Sequence, residues 1–119
     1  MAKGRKISGG KYHKKKKEKK YEKKGKVRVV KLAEKKVKTI KTTGGHKKLV
    51  SLSQNTMNII QNRKGKKVKM KTVLETPANR FLARQNVLIR GAIVETELGK
   101  ARITNRPSQE GIVQGILIE

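Results

Sequence analysis

A run of alternating side chains in the middle of the chain constrains the fold more than any other feature. One set of alternate positions is Val68, Met70, Thr72 and Leu74, and the positions between them are Lys67, Lys69 and Lys71. Successive side chains of a β-strand point to opposite faces, so this period of two predicts a strand with a core face and a cationic outer face. We interpret the three lysines as part of a binding surface; an ordinary solvated strand face is the alternative.

Other short runs of β-branched and apolar residues extend this pattern along the chain. Strands are predicted at residues 27–32, 37–42, 49–52, 57–60, 66–74, 87–95, 101–105 and 112–118. Gly, Pro and Asn mark turns between them at intervals of roughly eight to twelve residues, which is typical of all-β sandwiches and small barrels. The predicted fold class is therefore all-β, with a small β-barrel-like body of short antiparallel strands over residues 27–119.

Several local features refine this picture. Val37 and Ile40 fall on opposite faces of a regular strand, which predicts a bulge or a partly exposed edge. Gly91 inside an apolar run predicts a bulge or a sharp bend. Residues 76–86 read as a loop with one helical turn, and Phe81, the sole phenylalanine of the chain, is expected to fill the core.

The positive charge is concentrated in the first 71 residues. The formal net charge of the chain is +25. Residues 1–26 contain 13 Lys or Arg and two Glu, residues 27–71 contain 14 Lys or Arg and one Glu, and residues 72–119 contain six Lys or Arg and five Glu. Such self-repulsion calls for a polyanionic partner, and the candidates are RNA, DNA and an anionic membrane surface. Residues 1–26 also have too few apolar side chains to offset their conformational entropy, so we expect a basic extension that is disordered when free.

A glycine pair in the basic half of the chain, residues 1–71, is a candidate contact point for that partner. Gly44-Gly45 reads as a tight turn, because glycine accepts positive φ without a Cβ penalty and lets another backbone approach closely. The alternative is a hairpin whose strands are merely basic. The predicted RNA-binding residues of this stretch are Lys41, Gly44, Gly45, His46, Lys47 and Lys48.

The extension contains a second glycine pair and flat rings interleaved with lysines. Rings placed in this way can stack on exposed bases, although a solvated tail is the alternative. The predicted RNA-binding residues of the extension are Arg5, Lys6, Ser8, Gly9, Gly10, Lys11, Tyr12, His13, Lys14, Lys20 and Tyr21.

The nearly neutral residues 72–119, here called the neutral half, contain two candidate contacts. Arg102 and Arg106 share a predicted strand face with Thr104, and we expect them to contact RNA or a neighbouring protein specifically. The alternative is that both are solvated rim residues.

The sequence gives no sign of an enzyme. It has no cysteine and two histidines, both among lysines, and neither glycine pair has the spacing of a phosphate-binding P-loop. We therefore expect no catalytic residues, metal, cofactor or small-molecule substrate. A membrane is not expected either, because no apolar run approaches the roughly 20 residues that a spanning helix needs.

Three blocks of sequence resemble a known family. They are Arg5-Lys6-Ile7-Ser8-Gly9-Gly10 with the later Lys20-Tyr21-Glu22, then Thr43-Gly44-Gly45-His46-Lys47-Lys48, and finally Glu75-Thr76-Pro77-Ala78-Asn79 with the region 91–111. These blocks are similar to the archaeal form of the e-type small-subunit ribosomal protein eight (S8e) family. Thr43, His46 and the stretch Lys23-Lys24-Gly25 depart from the family pattern.

This resemblance implies a barrel-like body, a basic extension threading into small-subunit ribosomal RNA, neighbouring ribosomal proteins as further partners, and a structural role in the cytoplasmic ribosome. Two other functions stay open at this point. One is a ribosome-assembly factor that binds precursor ribosomal RNA, and the other is a DNA-compacting protein.

Overall fold

Eight β-strands and two short 3-10 helices make up the regular structure of residues 4–12 and 17–118, the parts of the chain that this computed structural model describes. The strands are β1 (Lys31–Leu32), β2 (Lys36–Lys41), β3 (Lys47–Gln54), β4 (Thr56–Gln61), β5 (Lys64–Glu75), β6 (Ile93–Thr96), β7 (Gly99–Ile103) and β8 (Gln114–Leu117). The 3-10 helices span Thr43–Gly45 and Arg80–Gln85. The predicted all-β class is confirmed.

Five of these strands form a closed barrel in the order β4-β5-β6-β7-β8. Barrel strands that are consecutive in the chain pair antiparallel, as predicted. The prediction of antiparallel strands alone is wrong, because β1 pairs parallel with β3 outside the barrel, and β4 and β8 close the barrel as a parallel pair with Ile59 opposite Gly115. A turn dictates antiparallel pairing only for strands that it connects directly, and β4 and β8 are far apart in sequence.

The closing strand needs a residue without a side chain. A Cβ on Gly115 would lie 2.6 Å from the carbonyl oxygen of Arg102 and 2.8 Å from Sδ of Met57. Glycine at this position therefore lets β8 fit between β7 and β4. The interior is filled by small and medium apolar side chains: Val30, Met57, Ile59, Val68, Met70, Val73, Leu88, Ala92, Val94, Ala101, Ile103 and Val113.

A smaller sheet has the strand order β1-β3-β2. Its strands β2 and β3 form the hairpin that contains Gly44-Gly45. The register shifts between Lys36 and Val37, and β2 lies at the edge of the sheet. This confirms the irregularity predicted from Val37 and Ile40. The predicted bend at Gly91 is also confirmed, because its φ is +83° and the backbone turns there.

The alternation predicted along β5 holds only for its first half. Val68 and Met70 are buried and the lysines between them are exposed, but the register shifts between Met70 and Thr72. This bulge adds one residue to the strand, so Val73 takes the next core position. The prediction that Thr72 and Leu74 face the core is therefore wrong, and both are exposed.

Three further predictions are corrected. Phe81 is 62% exposed and does not fill the core, because Arg80–Gln85 lies outside the barrel and holds the ring at the surface. The predicted strand at 27–32 is reduced to Lys31–Leu32. The predicted strand at 87–95 is reduced to Ile93–Thr96, since the bend at Gly91 interrupts it.

Candidate nucleic-acid interface

The β2–β3 hairpin presents a pair of lysines around the Gly44-Gly45 turn. Lys41 and Lys47 lie directly opposite each other on the two strands, and both are exposed. Like charges in this cross-strand arrangement are destabilising, so an anion between them would relieve a repulsion built into the free protein. The backbone N–H of Thr42 donates to the carbonyl of His46 at 2.7 Å and closes the turn, as predicted from sequence.

The glycines of this turn are required by backbone conformation, and packing does not explain them. Gly44 and Gly45 have φ values of +81° and +79°, in the left-handed region that other residues rarely adopt. A Cβ on Gly45 would meet no heavy atom within 4 Å, and one on Gly44 would meet only the ring of His46, at 3.4 Å. The space over the turn is therefore open to an approaching group.

Strand β3 of the hairpin and the segment before β1 both contact the turn that carries Arg106. Lys48 Nζ donates a hydrogen bond to Oε1 of Gln109, and Arg28 Nε donates to the carbonyl of Ser108 at 3.2 Å. Ser51 on β3 anchors the same turn from below, because its backbone N–H lies 3.1 Å from the carbonyl oxygen of Pro107. Residues far apart in sequence are thus brought to one side of the molecule.

The outer face of β5 supplies the second group of lysines. Lys67 and Lys69 pair with Asn58 and Thr56 of β4 and are exposed, and Lys71 is exposed at the bulge. The placement predicted for these three side chains is therefore confirmed, whereas their role in binding stays a prediction.

Lys35 extends this surface toward the smaller sheet and was missed by the sequence reasoning. It lines a cleft together with Lys67 of β5. The signal available in the sequence was the dipeptide Lys35-Lys36 between two predicted strands, which has no feature to distinguish it from other lysine runs. Arg28, which contacts the turn at Ser108, lies within the predicted strand at 27–32 and had no sequence feature that marked it as a contact residue.

The Gly9-Gly10 pair of the extension also forms a turn. Gly9 has a φ of +79°, its N–H donates to the carbonyl of Lys6 at 2.8 Å, and Arg5 bridges to Lys11 across the turn. Ser8 and Gly10 lie within it. Nζ of Lys6 lies 5.9 Å from the ring centre of Tyr12.

A second turn is present in the described part of the extension. A turn at residues 19–23 includes Lys20 and Tyr21, with Nζ of Lys19 lying 5.8 Å from the ring centre of Tyr21. His13 and Lys14, which were also predicted to bind RNA, lie outside the described residues.

The two arginines of the neutral half are separated by the fold. Arg102 is exposed on the outer wall of the barrel, opposite Ile116 on β8. Arg106 lies beyond the end of β7, in the turn that follows it, so the prediction of a shared strand face is wrong. Arg106 instead lines a shallow depression with Arg90 and Thr104.

The positive charges of the described residues are little compensated by their hydrogen-bond partners. In residues 4–12 and 17–118, four Lys or Arg side chains donate hydrogen bonds, and all four acceptors are neutral oxygens of backbone carbonyls or glutamines. These donors are Arg5, Arg28, Lys48 and Lys66. The surface is therefore arranged to attract an anion rather than to neutralise itself.

The part of the chain that the structure describes lacks two other kinds of site. It contains no cluster of three or more His, Cys, Asp or Glu side chains able to hold a metal ion. None of its helices has the length and apolar character needed to cross a membrane.

Comparison with known proteins identifies the family. The profile of the family described as "Ribosomal protein S8e" matches residues 1–118. The chain belongs to the ribosomal protein S8e family. It is 40% identical over 115 residues to the small ribosomal subunit protein eS8 of Nanoarchaeum equitans, covering 95% of this chain and 91% of the relative. It is 39% identical over 117 residues to eS8 of Methanocorpusculum labreanum, covering 97% and 94%.

A third archaeal relative gives the same result. The eS8 protein of Sulfolobus acidocaldarius is 38% identical over 117 residues, covering 96% of this chain and 91% of the relative. The resemblance read from the sequence blocks is thus confirmed. Because the S8e family consists of structural proteins of the ribosome, the interpretation that this protein is not an enzyme is also confirmed.

Proposed function

We propose that this small-subunit ribosomal protein binds ribosomal RNA through the basic half of its chain, with the β2–β3 hairpin and the outer face of β5 as its main contacts. Membership of the S8e family establishes the ribosomal role and the cytoplasmic location that goes with it. The observation that carries the finer proposal is the directly opposed pair Lys41 and Lys47 around an open glycine turn.

The division of charge between the strands supports this assignment. The strands β1 to β5 and the extension contain almost all of the excess positive charge, whereas β6 to β8 belong to the nearly neutral region 72–119. Phosphate contacts dominate the affinity of proteins for nucleic acids, so the basic half is the natural RNA-facing side. Apart from the candidate contacts Arg102 and Arg106, the neutral strands remain available to neighbouring ribosomal proteins.

The extension has a matching role in this proposal. Residues 1–26 are expected to be disordered in the free protein and to order on RNA, with their glycine turn and exposed tyrosines as contacts. Tyr12 and Tyr21 are both exposed, so their rings are accessible to bases.

RNA also suits the described residues better than duplex DNA. The helices among residues 4–12 and 17–118 are two 3-10 turns of three and six residues, and neither has the length of a helix that reads a major groove. A hairpin with an open turn suits the irregular surfaces of folded RNA.

The test compares two double variants with the same change of charge. Lys41→Gln/Lys47→Gln removes the opposed pair, and Arg84→Gln/Lys100→Gln removes two exposed cations from the neutral half. We expect the first variant to lose clearly more affinity for small-subunit ribosomal RNA in filter binding. Equal losses would contradict the assignment of the hairpin. Equal affinity of the parent for duplex DNA would favour DNA compaction, and co-sedimentation with precursor subunits alone would favour an assembly factor.

A further inference from the structure

A polar cleft of about 90 Å³ lies between the end of β3, the start of β4 and the segment that leads into β8. Its polar wall is formed by Lys35, Gln54, Thr56, Asn58 and Lys67. Ile112, which is exposed, supplies the apolar wall, and the almost fully buried Val113 also borders the cleft. About 10–15 Å³ of cavity space suffices for one water molecule, so the cleft has room for a group of several heavy atoms.

The cleft is built on fixed elements. Gln54 is buried, and its Nε2 donates to Oγ of Ser51 at 3.1 Å and to the carbonyl of Gly111 at 2.9 Å. The backbone N–H of Asn58 donates to the carbonyl of Val113 at 2.9 Å, which ties β4 to the apolar wall. The cleft therefore needs little rearrangement to accept a ligand, and this reduces the entropic cost of binding.

The polar groups of the wall are free to bind. Within the described ranges, no hydrogen bond engages the side-chain amide of Asn58, the hydroxyl of Thr56, or the ammonium groups of Lys35 and Lys67. An amide and a hydroxyl can donate and accept hydrogen bonds as a base edge requires, whereas an ammonium group can only donate and suits a phosphate.

We propose that this cleft receives one unpaired nucleotide of the bound RNA, an inference that rests on the proposed function. Its base enters against the exposed side chain of Ile112 and hydrogen-bonds to Asn58 and Thr56, while Lys35 and Lys67 hold the adjoining phosphate. Specific RNA recognition uses unstacked bases that pack on side chains and hydrogen-bond along their edges. A free phosphate would leave the apolar wall unused, and a paired base would first have to be unpaired and unstacked at a cost of a few kcal/mol, which an unpaired base avoids.

Two variants in the full-length protein test the cleft by affinity for small-subunit ribosomal RNA. Lys67→Gln removes a cation that lines the cleft, and Lys69→Gln removes one two residues along the same exposed strand face but outside it. We expect Lys67→Gln to weaken binding several-fold more than Lys69→Gln. Asn58→Leu, which leaves the charge unchanged, should weaken binding by roughly ten-fold through lost base hydrogen bonds, with an unchanged melting temperature.

A second measurement separates a nucleotide from a simple anion. Each of the four ribonucleoside monophosphates is titrated into the ¹⁵N-labelled full chain, with inorganic phosphate at equal ionic strength as the control. We expect at least one nucleotide to shift the amide signals of Asn58 and Val113 where phosphate does not. No shift with any nucleotide, or equal shifts with phosphate, would overturn the proposal.

The failures of the two proposals are distinguishable. If Lys67→Gln and Lys69→Gln weaken RNA binding equally, the cleft is not a nucleotide site and the basic RNA-binding face stands. If neither weakens binding and Lys41→Gln/Lys47→Gln also binds like the parent, the cleft proposal and the proposed function both fail.

Discussion

Substitutions in the Gly44-Gly45 turn separate a structural role from a role in RNA binding. Both residues have positive φ, so alanine at either position pays roughly 1–2 kcal/mol for a left-handed conformation. For a domain of this size, each kcal/mol lowers the melting temperature by about 4–8 °C. Because a Cβ on Gly45 meets nothing within 4 Å, strain should account for the whole stability loss of Gly45→Ala, about 4–16 °C.

Steric exclusion of RNA would appear in affinity instead. Asn tolerates the left-handed region, so Gly45→Asn should melt close to the parent while still projecting a side chain over the turn. If an RNA phosphate contacts the turn, an added side chain displaces it. Loss of that charge-assisted hydrogen bond costs about 1.5–3 kcal/mol of binding free energy, which lowers affinity by roughly 10–150-fold. We expect at least one of Gly44→Ala and Gly45→Ala to lose more affinity than Lys47→Ala while staying folded, and Gly45→Asn to do so without loss of stability.

The assay is filter binding to small-subunit ribosomal RNA, with thermal melting of the same samples. Gly65→Ala is the matched control, because it adds a methyl group to the other basic hairpin at a position without positive φ and with nothing within 4 Å of the Cβ. If the Gly44 and Gly45 variants bind RNA like the parent, or fail only because they unfold, the pair is a turn and the steric reasoning is refuted.

Four further outcomes are expected. Raising salt from 50 to 200 mM should weaken RNA affinity by roughly 10³–10⁵, as for ~6–10 phosphate contacts, and a nearly flat dependence would contradict the electrostatic basis. Residues 1–26 should give sharp, unprotected amide signals in the free protein and protected ones on RNA; protection in the free protein would refute this. Arg102→Lys/Arg106→Lys should lower RNA affinity at constant net charge, with unchanged affinity as the contrary result. Gly115→Ala should destabilise the barrel by about 1–3 kcal/mol in denaturant unfolding, because its Cβ would clash with the backbone carbonyl of Arg102 and with Met57, and a parent-like midpoint would refute that close approach.

The predictable part of the fold was the part encoded by neighbouring residues. The hairpin at Gly44-Gly45 and the first half of β5 followed from glycine conformation and from a period of two, and both are local effects. The bulge after Met70 was hidden, because Thr72 and Leu74 continue the apparent alternation in the sequence although Val73 occupies the core. The only cue was that Val73 itself is apolar.

Features that depend on distant residues could not be predicted. The exposure of Phe81 depends on where the Arg80–Gln85 turn packs, and hydrophobicity alone assigned it wrongly to the core. The parallel pairing of β4 with β8 depends on the absence of a side chain at Gly115, which had no evident signal in the sequence. The cleft joins Lys35 to Lys67 across 32 positions of the chain, so lysine runs alone gave no reason to combine them.

The orientation of the protein on ribosomal RNA can be measured directly, because the chain has no cysteine and a single one can be introduced at will. Thr43→Cys, Thr72→Cys and Leu98→Cys place a tethered iron chelate on the glycine hairpin, beside the β5 lysines, and on the neutral β6–β7 turn, without changing the charge. In assembled small subunits, we expect hydroxyl radicals from the first two positions to cut the RNA strongly at defined sites and those from Leu98→Cys to cut it weakly. Strong cutting from Leu98→Cys alone would contradict an RNA-facing basic half.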